Sequence, residues 1–95
     1  MVNDTVVRVS KTQSEDGTAS LSADQVFGEQ PRRRFLHVYV AGAGTVSVGI
    51  GEPPGNTGLQ VTSASPLLLN VAVIGAVWIK LASGSATYIA VEGIE

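Results

Sequence analysis

The sequence predicts an all-β fold, an antiparallel β-sandwich or a jelly-roll-like barrel with a polar N-terminal arm. Two observations predict it. Residues 34–40, 45–50 and 76–82 alternate between apolar and polar side chains, the period of two that a half-buried strand requires. From Gly42 onward short apolar runs recur about every ten residues with Gly, Ser and Pro between them, the spacing of a sandwich or barrel. Residues 1–30 read as an N-terminal edge strand followed by an arm or loop, and residues 31–95 as the sandwich domain.

Taken in order, Thr5, Val7, Val9 and Lys11 alternate with Val6, Arg8 and Ser10, which predicts a short edge strand with Val7 and Val9 on its apolar side. From Thr12 to Gln30 the chain turns polar, with Ser14-Glu15-Asp16-Gly17 as a turn signal. Ser22-Ala23-Asp24-Gln25 fits one helical turn capped by Ser22, and the segment equally fits an arm pinned by Phe27, which its polarity favours. Pro31 closes the segment and Arg32-Arg33-Arg34 opens the next strand.

Arg34-Phe35-Leu36-His37-Val38-Tyr39-Val40, the break Ala41-Gly42-Ala43-Gly44 and Thr45-Val46-Ser47-Val48-Gly49-Ile50 read as a β-hairpin. Leu36, Val38, Val40, Val46, Val48 and Ile50 form its core face. Phe35, His37, Tyr39, Thr45, Ser47 and Gly49 form the other. Residues 51–58, with two prolines and three glycines, are a loop. Leu59 and Val61 begin a short strand, residues 63–65 turn, and residues 66–73 form the next strand, ended by Gly75. In residues 76–82, Val77, Ile79 and Leu81 point inward, Trp78 and Lys80 outward. Ser83-Gly84-Ser85 signals a hairpin, after which residues 87–92 pair back with Ile89 and Val91 inward, Tyr88 and Glu92 outward.

Composition narrows the function. The 95 residues carry 44% hydrophobic but only 15% charged side chains, against about 25% charged in an average soluble domain. Much of the surface is therefore uncharged and suited to contact. A net charge of -2 supplies no general attraction for nucleic acid or an anionic membrane, so neither is an expected partner. There is no cysteine, which excludes disulfides and thiolate metal sites and leaves oligomerisation as the means of adding burial to a small core. The N-terminus lacks the basic start and apolar run of a secretory signal, which predicts a product made soluble in a cytoplasm.

The motifs that suggest chemistry are weak ones. Gly42-Ala43-Gly44 follows a strand, but a dinucleotide site needs a third glycine where Ser47 stands and a helix where a strand continues. His37 is the single histidine, without metal ligands or an orienting acid at useful spacing. Neither a catalytic residue nor a cofactor is expected. Adjacent strand residues face opposite ways, so of the three arginines Arg32 and Arg34 share a side, suited to an acidic neighbour more than to phosphate. Tyr39, Trp78, Tyr88 and His37 fall opposite the aliphatic core, where aromatic residues mark interfaces. Those four, with Arg32 and Arg34, are the expected interface.

Arg34-Phe35-Leu36-His37-Val38-Tyr39-Val40, Gly44-Thr45-Val46-Ser47-Val48-Gly49-Ile50-Gly51, Pro66-Leu67-Leu68-Leu69, Gly75-Ala76-Val77-Trp78 and the run from Gly84 to Gly93 together resemble small virion proteins of tailed bacteriophages, the capsid decoration or cement proteins and head-fibre bases. The resemblance covers residues 34–93. It implies a β-sandwich or jelly roll on the capsid surface of a virion, bound to the major capsid protein and to its own copies as a homotrimer. The alternative it leaves is a carbohydrate- or receptor-binding module of a phage fibre.

Overall fold

The computed structural model describes residues 9–55 and 58–95. Among these are eight strands: β1 Lys11–Thr18, β2 Asp24–Phe27, β3 Arg33–Ala41, β4 Thr45–Ile50, β5 Leu59–Val61, β6 Leu67–Leu69, β7 Val77–Ser83 and β8 Thr87–Ile94. They form two four-stranded sheets, ordered β1-β8-β3-β6 and β2-β7-β4-β5, with every pairing antiparallel. First pairs with last, second with seventh, third with sixth and fourth with fifth, alternately in one sheet and the other. This is the connectivity of a jelly roll, within the sandwich class that the sequence predicts.

That connectivity corrects both expected hairpins. β3 and β4 lie in different sheets, and so do β7 and β8. Ala41-Gly42-Ala43-Gly44 and Ser83-Gly84-Ser85 are corners that carry the chain from one layer to the other, and they pack on each other. Gly44 N–H donates to Ser85 O over 2.9 Å, and Gly84, at φ +70°, has room for a Cβ only within 2.9 Å of Gly44 Cα. A glycine-rich turn therefore reads alike whether it closes a hairpin or spans two sheets.

The core between the layers contains the expected Leu36, Val38, Val40, Val46, Val48, Val77, Ile79 and Leu81, joined by Phe27, Val61, Ala86, Tyr88 and Ala90. Several expectations fail around it. The predicted polar turn at residues 14–17 is the middle of β1, paired without interruption to β8. Residues 24–27 are neither a helical turn nor a free arm but strand β2, with Phe27 buried. The sandwich thus takes in residues 11–30 as two edge strands. Of the edge strand expected over residues 5–11, residues 5–8 lie outside the described residues. Ser47 and Gly49, expected on an open face, are buried because residues 51–55 fold back over β4, where Ser47 Oγ donates to Gly55 O over 2.8 Å.

The largest correction concerns β8. Its inward side chains are Tyr88, Ala90, Glu92 and Ile94, preceded by the buried Ala86, while Ile89 is exposed. The cause is an ion pair. Arg33, fully buried, donates through Nε to Glu92 Oε1 over 2.6 Å, through Nη1 to Val73 O and Gly75 O over 2.7 and 2.8 Å, and through Nη2 to Gly28 O over 2.9 Å. Its guanidinium carbon lies 5.9 Å from the centre of the Phe27 ring. Glu92 also accepts from Gln13 Nε2 of β1 over 3.1 Å. A β-bulge between Arg33 and Phe35 makes two residues of β3 stand opposite one of β8, so that Arg33 points inward although Phe35 points outward. Strict alternation would have put both on one face. The carbonyls of Val73 and Gly75 turn toward Arg33, and β6 ends at Leu69, well short of the strand expected to reach residue 73.

Truncating one member of a buried, hydrogen-bonded pair strands the other charge. Arg33→Met should therefore cost about 3–5 kcal/mol in urea unfolding, and Arg33→Met with Glu92→Leu should regain most of that loss. A single variant within about 0.5 kcal/mol of wild type would contradict the structural role given to the pair.

Candidate functional site

The same register that takes Glu92 inside turns Ile89 and Val91 outward, onto the free face of the β1-β8-β3-β6 sheet. Tyr39 stands opposite Ile89, His37 opposite Val91 on one side and Leu68 on the other, and Phe35 opposite Gly93. The fit at Phe35 explains the glycine, since a Cβ at Gly93 would overlap the Phe35 ring. Down β3 the rings make a ladder. Phe35 and His37 centroids are 4.7 Å apart at 38°, and His37 and Tyr39 are 6.3 Å apart and perpendicular. His37 Nε2 lies 2.7 Å from Asn70 Oδ1, within hydrogen-bond distance.

Exposure makes this face unusual. Tyr39 is 43% exposed, Leu68 50% and Ile89 51%, and all three lie on one side of three adjacent strands. Single exposed aliphatic residues are ordinary, whereas a contiguous group marks a contact surface. Along β1 the opposing residues are Thr12, Ser14 and Asp16, a polar border beside the apolar centre. An apolar centre with a polar edge is the anatomy of a protein interface.

The expected interface residues do not share this face. Tyr39 and His37 are on it. Tyr88 is in the core, beneath Gly17 of β1, whose Cβ position is 3.0 Å from the Tyr88 hydroxyl. Trp78 is half-buried on the outer side of the opposite sheet, between Gln25 of β2 and Gly49 of β4. The three aromatics proposed as one contact surface thus lie on three different surfaces. Arg34 is ion-paired with Glu95, both partly exposed, and such a pair contributes little. Arg32 is exposed, its backbone N–H donating to Gln30 Oε1 over 3.1 Å. Sequence reasoning missed Leu68, Ile89 and Val91 as surface residues. β8 is apolar on both sides, so alternation alone does not choose, and the signal that does is Glu92, a carboxylate in a chain with a buried arginine to meet it.

No further chemistry gathers here. Among the described residues no group of three or more His, Cys, Asp or Glu could hold a metal ion, and no helix is long and apolar enough to cross a membrane. The recess under residues 52–55 is lined by Gly49, Pro53, Pro54 and Gly55 and, among the described residues, by a single ionisable side chain, Glu52.

No protein-family model matches the chain, and no curated protein matches it. Its fold is similar to a solved structure from Bacillus endospore appendages, described as a novel family of disulfide-linked pili. Identity is 17% and the TM-score 0.53, over 88% of this chain and 85% of that one. At that identity the likeness concerns the fold. This chain has no cysteine, so no copy of it forms a disulfide.

Burial, and then the carboxylates of Asp24, Glu15 and Asp16, raise the Tyr88 phenol above its ordinary 10.0. The folded chain keeps that proton where the unfolded chain has lost it. The resulting stability is complete below pH 10 and is lost as pH rises through the folded value. In Tyr39→Phe, which leaves Tyr88 as the only tyrosine, tyrosinate absorbance should appear above pH 10, with the denaturant midpoint falling in the same range. Ionisation at or below pH 10 in the folded protein would contradict the interior position.

Proposed function

We propose that the chain is a structural assembly protein without catalytic function, which docks onto a protein shell through the outer face of the β1-β8-β3-β6 sheet. The observation that carries this is the exposed group Tyr39, Leu68 and Ile89, with Phe35, His37 and Val91 between them. Three strands about 4.8 Å apart and eight or nine residues long, with the three-residue β6 beside them, present roughly 430 Å². Covered by a partner, such a face gives about 850 Å² of total buried area, the size of a weak or transient contact that repetition over many copies reinforces. Few charges lie on it, so the attraction is mainly apolar and only weakly dependent on salt.

The particular assembly we propose is the capsid of a tailed bacteriophage, with the major capsid protein as partner and the capsid surface as location. The resemblance of residues 34–93 to decoration proteins supports this choice. The likeness of fold to a pilus protein supports the broader class, a jelly roll used as a building block. A fibre module that recognises sugar is the competing use of exposed rings, and the scarcity of carboxylates and amides around Tyr39 speaks against it.

Co-sedimentation with undecorated capsids tests the reading. Wild type should bind at low and high salt. Ile89→Asp and Tyr39→Ala should each weaken binding at least about tenfold without lowering the unfolding midpoint, and Trp78→Ala should leave binding unchanged. Absence of binding at every salt concentration defeats the capsid assignment, and a positive glycan array with no capsid binding moves the face to the fibre role.

A further inference from the structure

Strand β1 is the outer strand of its sheet. Among the described residues nothing pairs with its far side. It runs eight residues without proline or bulge, longer than the strands at the other three sheet edges, and such an edge is a template for another strand. Which backbone groups are open follows from the register. Ala19 N–H donates to Ala86 O, and β1 pairs with β8 in the same register, Thr18 opposite Thr87. Odd-numbered residues therefore exchange hydrogen bonds with β8, and the N–H and C=O groups of Thr12, Ser14, Asp16 and Thr18 face away.

We propose that this edge pairs antiparallel with β1 of a second copy, forming a two-fold dimer with one continuous eight-stranded sheet. The charges choose both the partner and the register. Lys11, Gln13 and Glu15 share the inner side of the strand, and Lys11 and Glu15 are exposed with no ion pair among the described residues. Every register centred on a residue matches open groups to open groups, and three of them lie near the middle of the strand. Centred on Glu15, two carboxylates would meet. Centred on Ser14, Lys11 would meet Gly17. Centred on Gln13, Lys11 of each copy stands opposite Glu15 of the other, twice over by symmetry, and Thr12 exchanges backbone hydrogen bonds with Ser14. Opposite charges directly across a ladder stabilise it and like charges destabilise it. An edge protected against pairing would carry charges that repel a copy of itself, and these attract one.

Pairing about such an axis keeps the same face of each sheet on the same side. The two apolar faces then lie on one side of a single sheet, with the polar borders of the two β1 strands between them. The dimer goes beyond the docking role above and does not require it, because it forms without a shell.

Sedimentation velocity on the full chain, from about 1 μM to about 1 mM, tests the dimer over the range of moderate to weak affinities. The expected result is a concentration-dependent dimer. Lys11→Glu and Glu15→Lys should each weaken it at least tenfold by setting like charges opposite in both symmetric positions, and the double variant should restore it. Ser14→Pro, which removes an outward amide that β8 does not use, should abolish dimerisation, with thermal unfolding reporting whether the domain remains folded. A wild type monomeric throughout overturns the proposal. So does a dimer insensitive to charge reversal, or one lost in the single variants and not recovered in the double. Loss of capsid binding with the dimer intact would count against the docking face alone.

Discussion

The buried contact between Arg33 and Glu92 is the constraint on which the rest of the sandwich depends. An ion pair withdrawn from water is tolerated only when its remaining donors and acceptors are satisfied, and here the whole network draws on five separate segments. Arg33 comes from β3, Glu92 from β8, Gln13 from β1, and the carbonyls of Gly28, Val73 and Gly75 from the connections after β2 and before β7. Moving β3 against β8 by a residue would part the two buried charges, and moving β1 would take from Glu92 its second donor. The pair therefore specifies register in a small domain whose strands are otherwise rich in interchangeable valines and alanines.

That specification has a consequence on the opposite face. Side chains alternate, so bringing Glu92 and Tyr88 inside sends Ile89 and Val91 outside. The core accepts Ala86 and Ala90 in their place, small residues that fit where the two sheets approach. Apolar area given up by the core appears on the surface next to Tyr39 and His37. The surface proposed for docking is thus the outward side of the same arrangement that holds the strands in place.

The two outer faces differ for a covalent reason. The connection between β4 and β5 is long and rich in proline and glycine, and its residues 51–55 lie back over β4, shielding Ser47 and Gly49. No comparable segment among the described residues covers the β1-β8-β3-β6 sheet. A domain without cysteine cannot lock such a surface to a neighbour by a disulfide, and the attachment proposed here comes from area, fit and open backbone groups. The unprotected edge at β1 and the apolar face beside it meet along the same strand, where Asp16 borders Ile89.

Local pattern determined the strands themselves. Alternation in residues 36–40, 46–48 and 77–81 identified the core positions on β3, β4 and β7, because one side of each is aliphatic and the other is not. The polar stretch at residues 11–18 hid a strand for the complementary reason. β1 is exposed on nearly every side chain and is held by its backbone pairing to β8, which leaves no apolar periodicity to read. Sheet membership was also beyond the sequence, since a Gly-rich corner suits a hairpin and a crossing equally well. What only the tertiary structure decided was the side of β8 that faces inward and the partner of Arg33. Those depend on a bulge at Arg34 and on a contact between residues 59 positions apart, which no local period records.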